Sequence, residues 1–344
     1  MLRHHPRGGR RAVILVLLGL LAGILAACSD SATTTDTATG DGADTTAPEG
    51  AEAEDGTTST GAADAGPVDN TDGAFPVQLD TPEGTVTIPA APERIVSLSP
   101  TGTEMLFAIG AGDQVEAADS YSNYPPEAPT TDLSAFEPNL EAIAAYQPDL
   151  LVMSQADPVV VAGMDDIDVP VLILPAAQSL DDTYDQIALL GMATGHLNES
   201  AATNAQIRAG VEAAVADQPT PTEPVRVYHE LDDTFFSASS ASFIGQLYDL
   251  LGWENIADAA DPDRTGYPQL QAEEILGADP TVIVFTDAYG YTAADIAARP
   301  GWDQLTAVET GSVIEVDADI ASRWGPRVVE LLDAVTAGVS APTG

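Results

Sequence analysis

The chain has 344 residues, 54 of them acidic and 11 basic, for a formal charge of −43, and every basic residue is an arginine. A surface this negative repels phosphate backbones and argues against nucleic acid as a partner, although a salt-adapted composition gives the same balance without any ligand meaning. One cysteine, Cys28, excludes an intramolecular disulfide, so the folded region must stand on its apolar core.

Residues 1–27 place four arginines ahead of an apolar run from Ala12 to Leu25, the pattern of an export signal, and the run is short for a membrane span. It ends in "LAAC", with Leu25 three positions before Cys28, which resembles the lipobox of bacterial lipoproteins. The resemblance implies cleavage before Cys28 and lipid on its sulfur, anchoring the chain to the outer face of the cell membrane. From 28 to 75 the sequence is dominated by Thr, Ala, Gly, Asp and Glu. Such a segment cannot bury enough surface to offset its chain entropy and is expected to be a disordered acidic tether.

Beyond it, apolar runs of strand length recur: "RIVSLS" (94–99), "DLLVMS" (149–154), "VPVLILP" (169–175), "VRVYHEL" (225–231), "TVIVFT" (281–286) and "SVIEVD" (312–317). They alternate with helix-like segments such as "TGTEMLFAIG" and "SFIGQLYDLLG", which predicts parallel α/β sheets covered on both faces. Two units echo each other at an offset of 132 residues: "EAIAAYQPDLLV" from Glu141 and "EEILGADPTVIV" from Glu273, each a short helix, a helix-breaking proline and a strand. Helices ending at Gly110 and Gly252 form a second, weaker correspondence. The expected fold is two Rossmann-like lobes, 76–197 and 219–344, joined by a single long helix over 198–218. Asn198 is its expected N-cap, Pro219 its stop, and Ile207, Val211 and Val215 its apolar stripe.

Catalytic constellations are missing from the sequence: it has no G-x-S-x-G elbow, no phosphate-cradling loop and no G-x-G-x-x-G. After removal of the signal only His196 and His229 remain, too few for a closed zinc site, so no metal site and no enzyme activity is expected. An exported α/β enzyme and a sensory lipoprotein are the rival readings.

The segments "PERIVSLSPTGTEMLFAIGAGDQVEAADSYSNYPPEA", "FEPNLEAIAAYQPDLLVMS", "YPQLQAEEILGADPTVIVF" and "ASRWGPRVVELLDAV" together resemble the Fe/cobalamin periplasmic-binding domain family. These are substrate-binding proteins, with one helix as backbone, that serve ABC importers of ferric siderophores, haem and cobalamin. The resemblance implies a monomeric receptor with no covalently bound cofactor, whose ligand is an iron chelate or a corrinoid. It also implies that one glutamate per lobe docks onto a permease dimer that works with its ATPase. By position these are Glu141 and Glu273, with Glu274 a neighbouring candidate. By similarity to cobalamin binders, Tyr121 and Tyr267 are aromatic walls and Asp319 a polar contact, while Ser154 and Leu231 stand where further aromatics are expected. Arg264 and Arg323 are expected in rim loops, where charge-assisted hydrogen bonds suit an anionic chelate; with them the ferric siderophore is favoured, with cobalamin or haem the alternative.

Overall fold

All six apolar runs become strands in the computed structural model, which describes residues 74–218 and 223–339; the signal, Cys28 and nearly all of the tether lie outside the described residues. A hairpin, β1 (Val77–Thr81) and β2 (Gly84–Ile88), comes first. The first lobe follows as β3 (Ile95–Leu98), α1 (Pro100–Ala108), β4 (Val115–Ala118), α2 (Leu140–Ala144), β5 (Leu150–Met153), α3 (Pro158–Asp165) and β6 (Val171–Ile173). Helices α4 (Leu180–Thr194) and α5 (Leu197–Asp217) lead out of it. The second lobe contains β7 (Arg226–Glu230), α6 (Phe243–Leu250), β8 (Glu254–Asn255), α7 (Ala272–Ala278), β9 (Val282–Thr286), α8 (Ala293–Ala297), α9 (Thr306–Thr310) and β10 (Val313–Val316). The described chain closes with α10 (Ala318–Ala321) and α11 (Val328–Ala337).

Both four-stranded sheets are parallel, with orders β4-β3-β5-β6 and β8-β7-β9-β10, the same topology twice. The repeat extends to single hydrogen bonds. Arg94, leading into β3, donates from Nε to the carbonyls of Tyr146 and Gln147, both at 3.1 Å. Arg226, opening β7, does the same to Ala278 (3.1 Å) and Asp279 (3.0 Å). Gln147, shortly after α2, and Asp279, the C-cap of α7, are both left-handed, at φ 52° and 46°, so each arginine bonds the carbonyls where the chain leaves a matched helix. Helices α1 and α6 likewise end before left-handed Gly110 (φ 82°) and Gly252 (φ 71°).

Alternation along the strands sends side chains to two faces. Val96, Leu98, Leu151 and Met153 join an outer core of the first lobe, and Tyr228, Ile283 and Phe285 an outer core of the second. The opposite faces, Ile95, Leu150 and Val152 in one sheet and Val227, Val282 and Val284 in the other, belong to a single inner core shared by both lobes.

Helix α5 spans that shared core. Its 21 residues give a rod of about 30 Å. Near its start Thr203 Oγ1 bonds the Ala108 carbonyl (3.1 Å) and Asn204 Nδ2 that of Tyr184 (2.9 Å). Just beyond its other end, Gln218 Nε2 bonds the Leu251 carbonyl (3.0 Å) and its Oε1 accepts from Trp253 Nε1 (3.1 Å). Midway, a Cβ at Gly210 would lie 2.8 Å from Val329, so glycine lets α11 approach closely. Two details differ from expectation. The N-cap is His196, without a side-chain cap bond, because the first turn starts at Leu197 and leaves Asn198 inside it. The buried stripe runs through Ile207, Val211 and Ala214, with Val215 half-buried at its edge.

Candidate ligand cleft and matched surface carboxylates

Strand β4 ends at Asp119, a buried carboxylate that shapes the loop after it: Oδ1 accepts from the backbone N–H of Tyr121 (2.7 Å) and Ser122 (3.1 Å). Ser122 Oγ is tied to Thr103 Oγ1 (2.9 Å), which donates to Ser97 Oγ (2.9 Å), so the loop is pinned to β3 and α1. After β8 the second lobe also organises its loop around an aspartate, with the backbone donors four and five residues on instead of two and three. Asp261 accepts from Ser239 Oγ (2.5 Å), Thr265 N (2.7 Å) and Gly266 N (2.8 Å).

Each turn ends in Tyr-Pro. Tyr124-Pro125 and Tyr267-Pro268 follow their aspartates at nearly equal spacing, and the rings are 40 % and 39 % exposed. The structural counterpart of Tyr267 is therefore Tyr124, which sequence reasoning passed over in favour of Tyr121; the dipeptide repeated in "SNYPP" and "TGYPQ" was the available signal. Tyr121 is half-buried and meets Phe136 edge to face, centroids 5.6 Å apart, and Phe136 is itself 56 % exposed, a second aromatic that the sequence did not single out.

The two aspartates differ in charge balance. Burial pushes Asp119 from 3.8 up to about 6, outweighing its backbone hydrogen bonds and nearby Arg323, and its Oδ2 has no partner among the described residues. Burial also disfavours the charged form of Asp261, but its larger set of donors holds it down at about 2. Between pH 3.8 and about 6 the folded chain holds a proton at Asp119 that the unfolded chain has lost. The contribution of this group to stability is therefore complete below the lower value and is lost as pH rises through the upper one. Asp119→Asn is expected to remove that part of the slope; denaturant unfolding of both proteins at several pH values reads it, and parallel profiles refute the assignment.

Opposite the loop that follows Asp119, the second lobe supplies the segment after β10. Arg323 was expected in a rim loop; it is buried instead, and both terminal nitrogens of its guanidinium are engaged. It bonds Glu104 Oε1 of α1 (2.6 Å), Asp319 Oδ1 (3.0 Å), the Tyr121 carbonyl (2.9 Å) and Asn123 Oδ1 (2.9 Å). Arg327 adds bonds to Glu104 Oε2 (2.9 Å) and Oε1 (2.6 Å), and its guanidinium carbon lies 4.2 Å from the Tyr124 ring centroid. Burial works against the charge on Arg327, but bonding to Glu104 outweighs it and raises the pKa further. Asp319 also accepts from Asn123 Nδ2 at 2.7 Å. These bonds join the lobes, together with Trp324 Nε1 to Gln186 Oε1 (3.0 Å).

The other arginines are committed too. Arg94 pairs with Glu116, Arg208 with Asp181, Arg226 with Asp279 and Arg299 with Glu230. Among the described residues only Arg264, left-handed at φ 53° on an exposed loop, has no side-chain partner. Neither histidine offers a metal site: His196 Nδ1 pairs with Thr194 Oγ1 (3.1 Å), and fully buried His229 pairs with the Tyr248 hydroxyl (2.6 Å) and is driven down to about 4 by burial. Among the described residues no cluster of three metal-ligating side chains occurs.

Glu141 and Glu273 occupy the first turns of α2 and α7, exposed, and their carboxylates have no hydrogen bond or ion pair among the described residues. Glu274 is different. Its Oε2 accepts from Gln271 N at 2.7 Å in a capping box, so that carboxylate is spent within its own helix.

A twofold α/β repeat around a spine, with aromatic loops at matched strand ends, defines a two-lobed binding protein. The family model described as periplasmic binding protein matches residues 95–320, and the chain belongs to that family. A "Cobalamin-binding protein" of Halobacterium salinarum is 33% identical over 270 residues, spanning 75% of this chain and 72% of its own length. An "Uncharacterized ABC transporter substrate-binding lipoprotein YvrC" of Bacillus subtilis is 28% identical over 266 residues, 74% of this chain and 83% of that one. The periplasmic heme-binding protein RhuT from Roseiflexus sp. RS-1 shares the fold at TM-score 0.61 and 24% identity, covering 72% of this chain and 99% of RhuT. The chain is thus an extracytoplasmic substrate-binding protein of the kind that serves ABC importers, and not an enzyme.

Proposed function

We propose that this receptor carries a corrinoid. The observation that carries the reading is the commitment of the arginines: Glu104 and Asp319 together balance Arg323 and Arg327, which leaves a polyanionic chelate only Arg264 among the described arginines without a carboxylate partner. The ferric siderophore expected from the sequence depended on Arg264 and Arg323 together, and loses its stronger half. Exposed Tyr124, Tyr267 and Phe136, with Tyr121 beside them, suit a flat, nearly neutral macrocycle, because rigid rings bury large area at small entropic cost. The name of the Halobacterium relative points the same way. In this reading Cys28 is lipidated, the tether 28–75 leaves the domain free to search, and Glu141 and Glu273 meet basic residues of the permease pair.

The test is a fluorescence titration of the mature protein, in which Trp324, bonded across the lobes, is the reporter. Cyanocobalamin is expected to give a saturable change and a ferric hydroxamate none. Tyr267→Ala is expected to weaken corrinoid binding by roughly tenfold, the loss of one buried aromatic contact of about 1.5 kcal/mol. Saturable hydroxamate binding without a corrinoid response overturns the reading in favour of the siderophore.

A further inference from the structure

Asp119 is wholly enclosed where β4 ends, and its two oxygens are treated differently. Oδ1 holds the backbone of Tyr121 and Ser122, while Oδ2 has no partner among the described residues. The loop that covers it is clamped from two sides. Ser122 Oγ joins the buried hydroxyls of Thr103 and Ser97, and the segment 129–133 receives Ser120 N at the Leu133 carbonyl (2.9 Å) and donates from Thr130 Oγ1 to the Ser122 carbonyl (2.7 Å). Asp261 in the second lobe lacks this defect: Oδ1 accepts from Thr265 N and Oγ1, and Oδ2 from Ser239 Oγ and Gly266 N. A buried carboxylate oxygen without a donor costs far more charged than neutral. Water reaches Asp119 Oδ2 only when the loop lifts, and that loop carries Tyr121 and Tyr124.

We infer that Asp119 is a positioning residue that holds a proton when ligand closes the Tyr121–Tyr124 loop, so that the receptor grips its cargo with this carboxyl neutral and loosens as it ionises. The inference rests on the corrinoid reading for its ligand and for this loop as a wall of the site. The charged groups on the elements around Asp119 are Glu104 of α1, Asp132 of the neighbouring segment and Arg323 after β10. Glu104 is bound to Arg323 and Arg327, and Asp132 is exposed. Arg323 favours the charged form without outweighing burial, which leaves the free protein titrating at about 6. Ligand on the loop keeps Oδ2 dry, so the bound form keeps its proton to a higher pH than the free form. Affinity is therefore complete below about 6 and is lost as pH rises above it, by at most about tenfold per pH unit for one proton.

The test is calorimetry of cyanocobalamin binding to the mature protein from about pH 5 to 8, in two buffers of different ionisation enthalpy at each pH. That corrinoid has no group titrating over this range. Wild type is expected to take up a fraction of a proton near pH 7 and to lose about three- to tenfold in affinity between about pH 6 and 8. Asp119→Asn keeps an acceptor oxygen for the Tyr121 and Ser122 amides but cannot ionise, and both effects are expected to vanish in it. A flat wild-type profile, or proton uptake that persists in Asp119→Asn, overturns the inference. If wild type binds no corrinoid, that reading falls by itself, and Asp119 is judged without ligand. In protein labelled with carbon-13 at the aspartate carboxyls, the resonance missing from Asp119→Asn is expected to titrate at about 6. Hydrogen exchange at the Tyr121 and Ser122 amides, taken relative to Asp119→Asn, is expected to accelerate through the same midpoint. Exchange that ignores this titration, or a carboxyl that titrates in the ordinary range, overturns the inference.

Discussion

Glu104→Ala is expected to lower the unfolding free energy by about 3–5 kcal/mol, because it leaves two guanidinium groups buried without their shared counter-charge. The carboxylate is almost fully enclosed, with 1% side-chain exposure, and its partners Arg323 and Arg327 have 6% and 10%. Solvent cannot compensate for the lost charge at such depth. For a folded region of this size the loss corresponds to a fall in melting midpoint of roughly 10 °C. The same variant releases the Arg323 bond to the Tyr121 carbonyl and the seat of Arg327 against Tyr124, so ligand binding is expected to fall as well. A comparison separates charge from packing. Replacing Glu104, Arg323 and Arg327 together with apolar residues of similar volume is expected to cost much less stability than Glu104→Ala alone, since isolated charges and not absent bonds dominate the penalty. Denaturant unfolding checks both, and a loss below about 1 kcal/mol for Glu104→Ala would show that water reaches the cluster.

Glu141→Ala combined with Glu273→Ala is expected to abolish uptake while leaving ligand affinity unchanged. The two carboxylates sit at equivalent positions of equivalent helices, α2 and α7, and each is held away from any partner in its own lobe. Truncating one member of a hydrogen-bonded charge pair buried at an interface costs about 2–5 kcal/mol, so each single variant is expected to weaken docking at least tenfold, and the pair more. Glu274→Ala is expected to act differently, on the stability of α7, because that side chain caps its own helix. Transport measured in cells, beside calorimetry on the purified variants, distinguishes these outcomes. Normal uptake in the double variant would remove both glutamates from the docking surface. Salt offers an independent reading, since contacts formed by exposed charges weaken as ionic strength rises.

The repeat was legible in the sequence for a local reason. Buried parallel strands need continuous apolar runs, and prolines and glycines mark where helices stop, so the echo from Glu141 and Glu273 carried topology without any knowledge of contacts. The same logic missed β4, β8 and the β1–β2 hairpin. Edge strands of four and two residues hold too few apolar positions to stand out, whereas the hairpin had a signal that went unread, the alternation on both sides of "TPEG".

What the chain determined by itself was the apolar central strands and the helices between them, the position of the spine, and the placement of one glutamate at the start of each matched helix. What only the tertiary structure decided was the fate of the charges in the cleft. Arg323 and Arg327 meet Glu104 from 219 and 223 residues away, and Asp319 meets Asn123 from 196. An arginine in a loop reads the same from sequence whether it faces a ligand or a buried carboxylate. The ionic partner that separates those cases is brought into range only when two lobes, each folded by its own short-range pattern, close over one shared core.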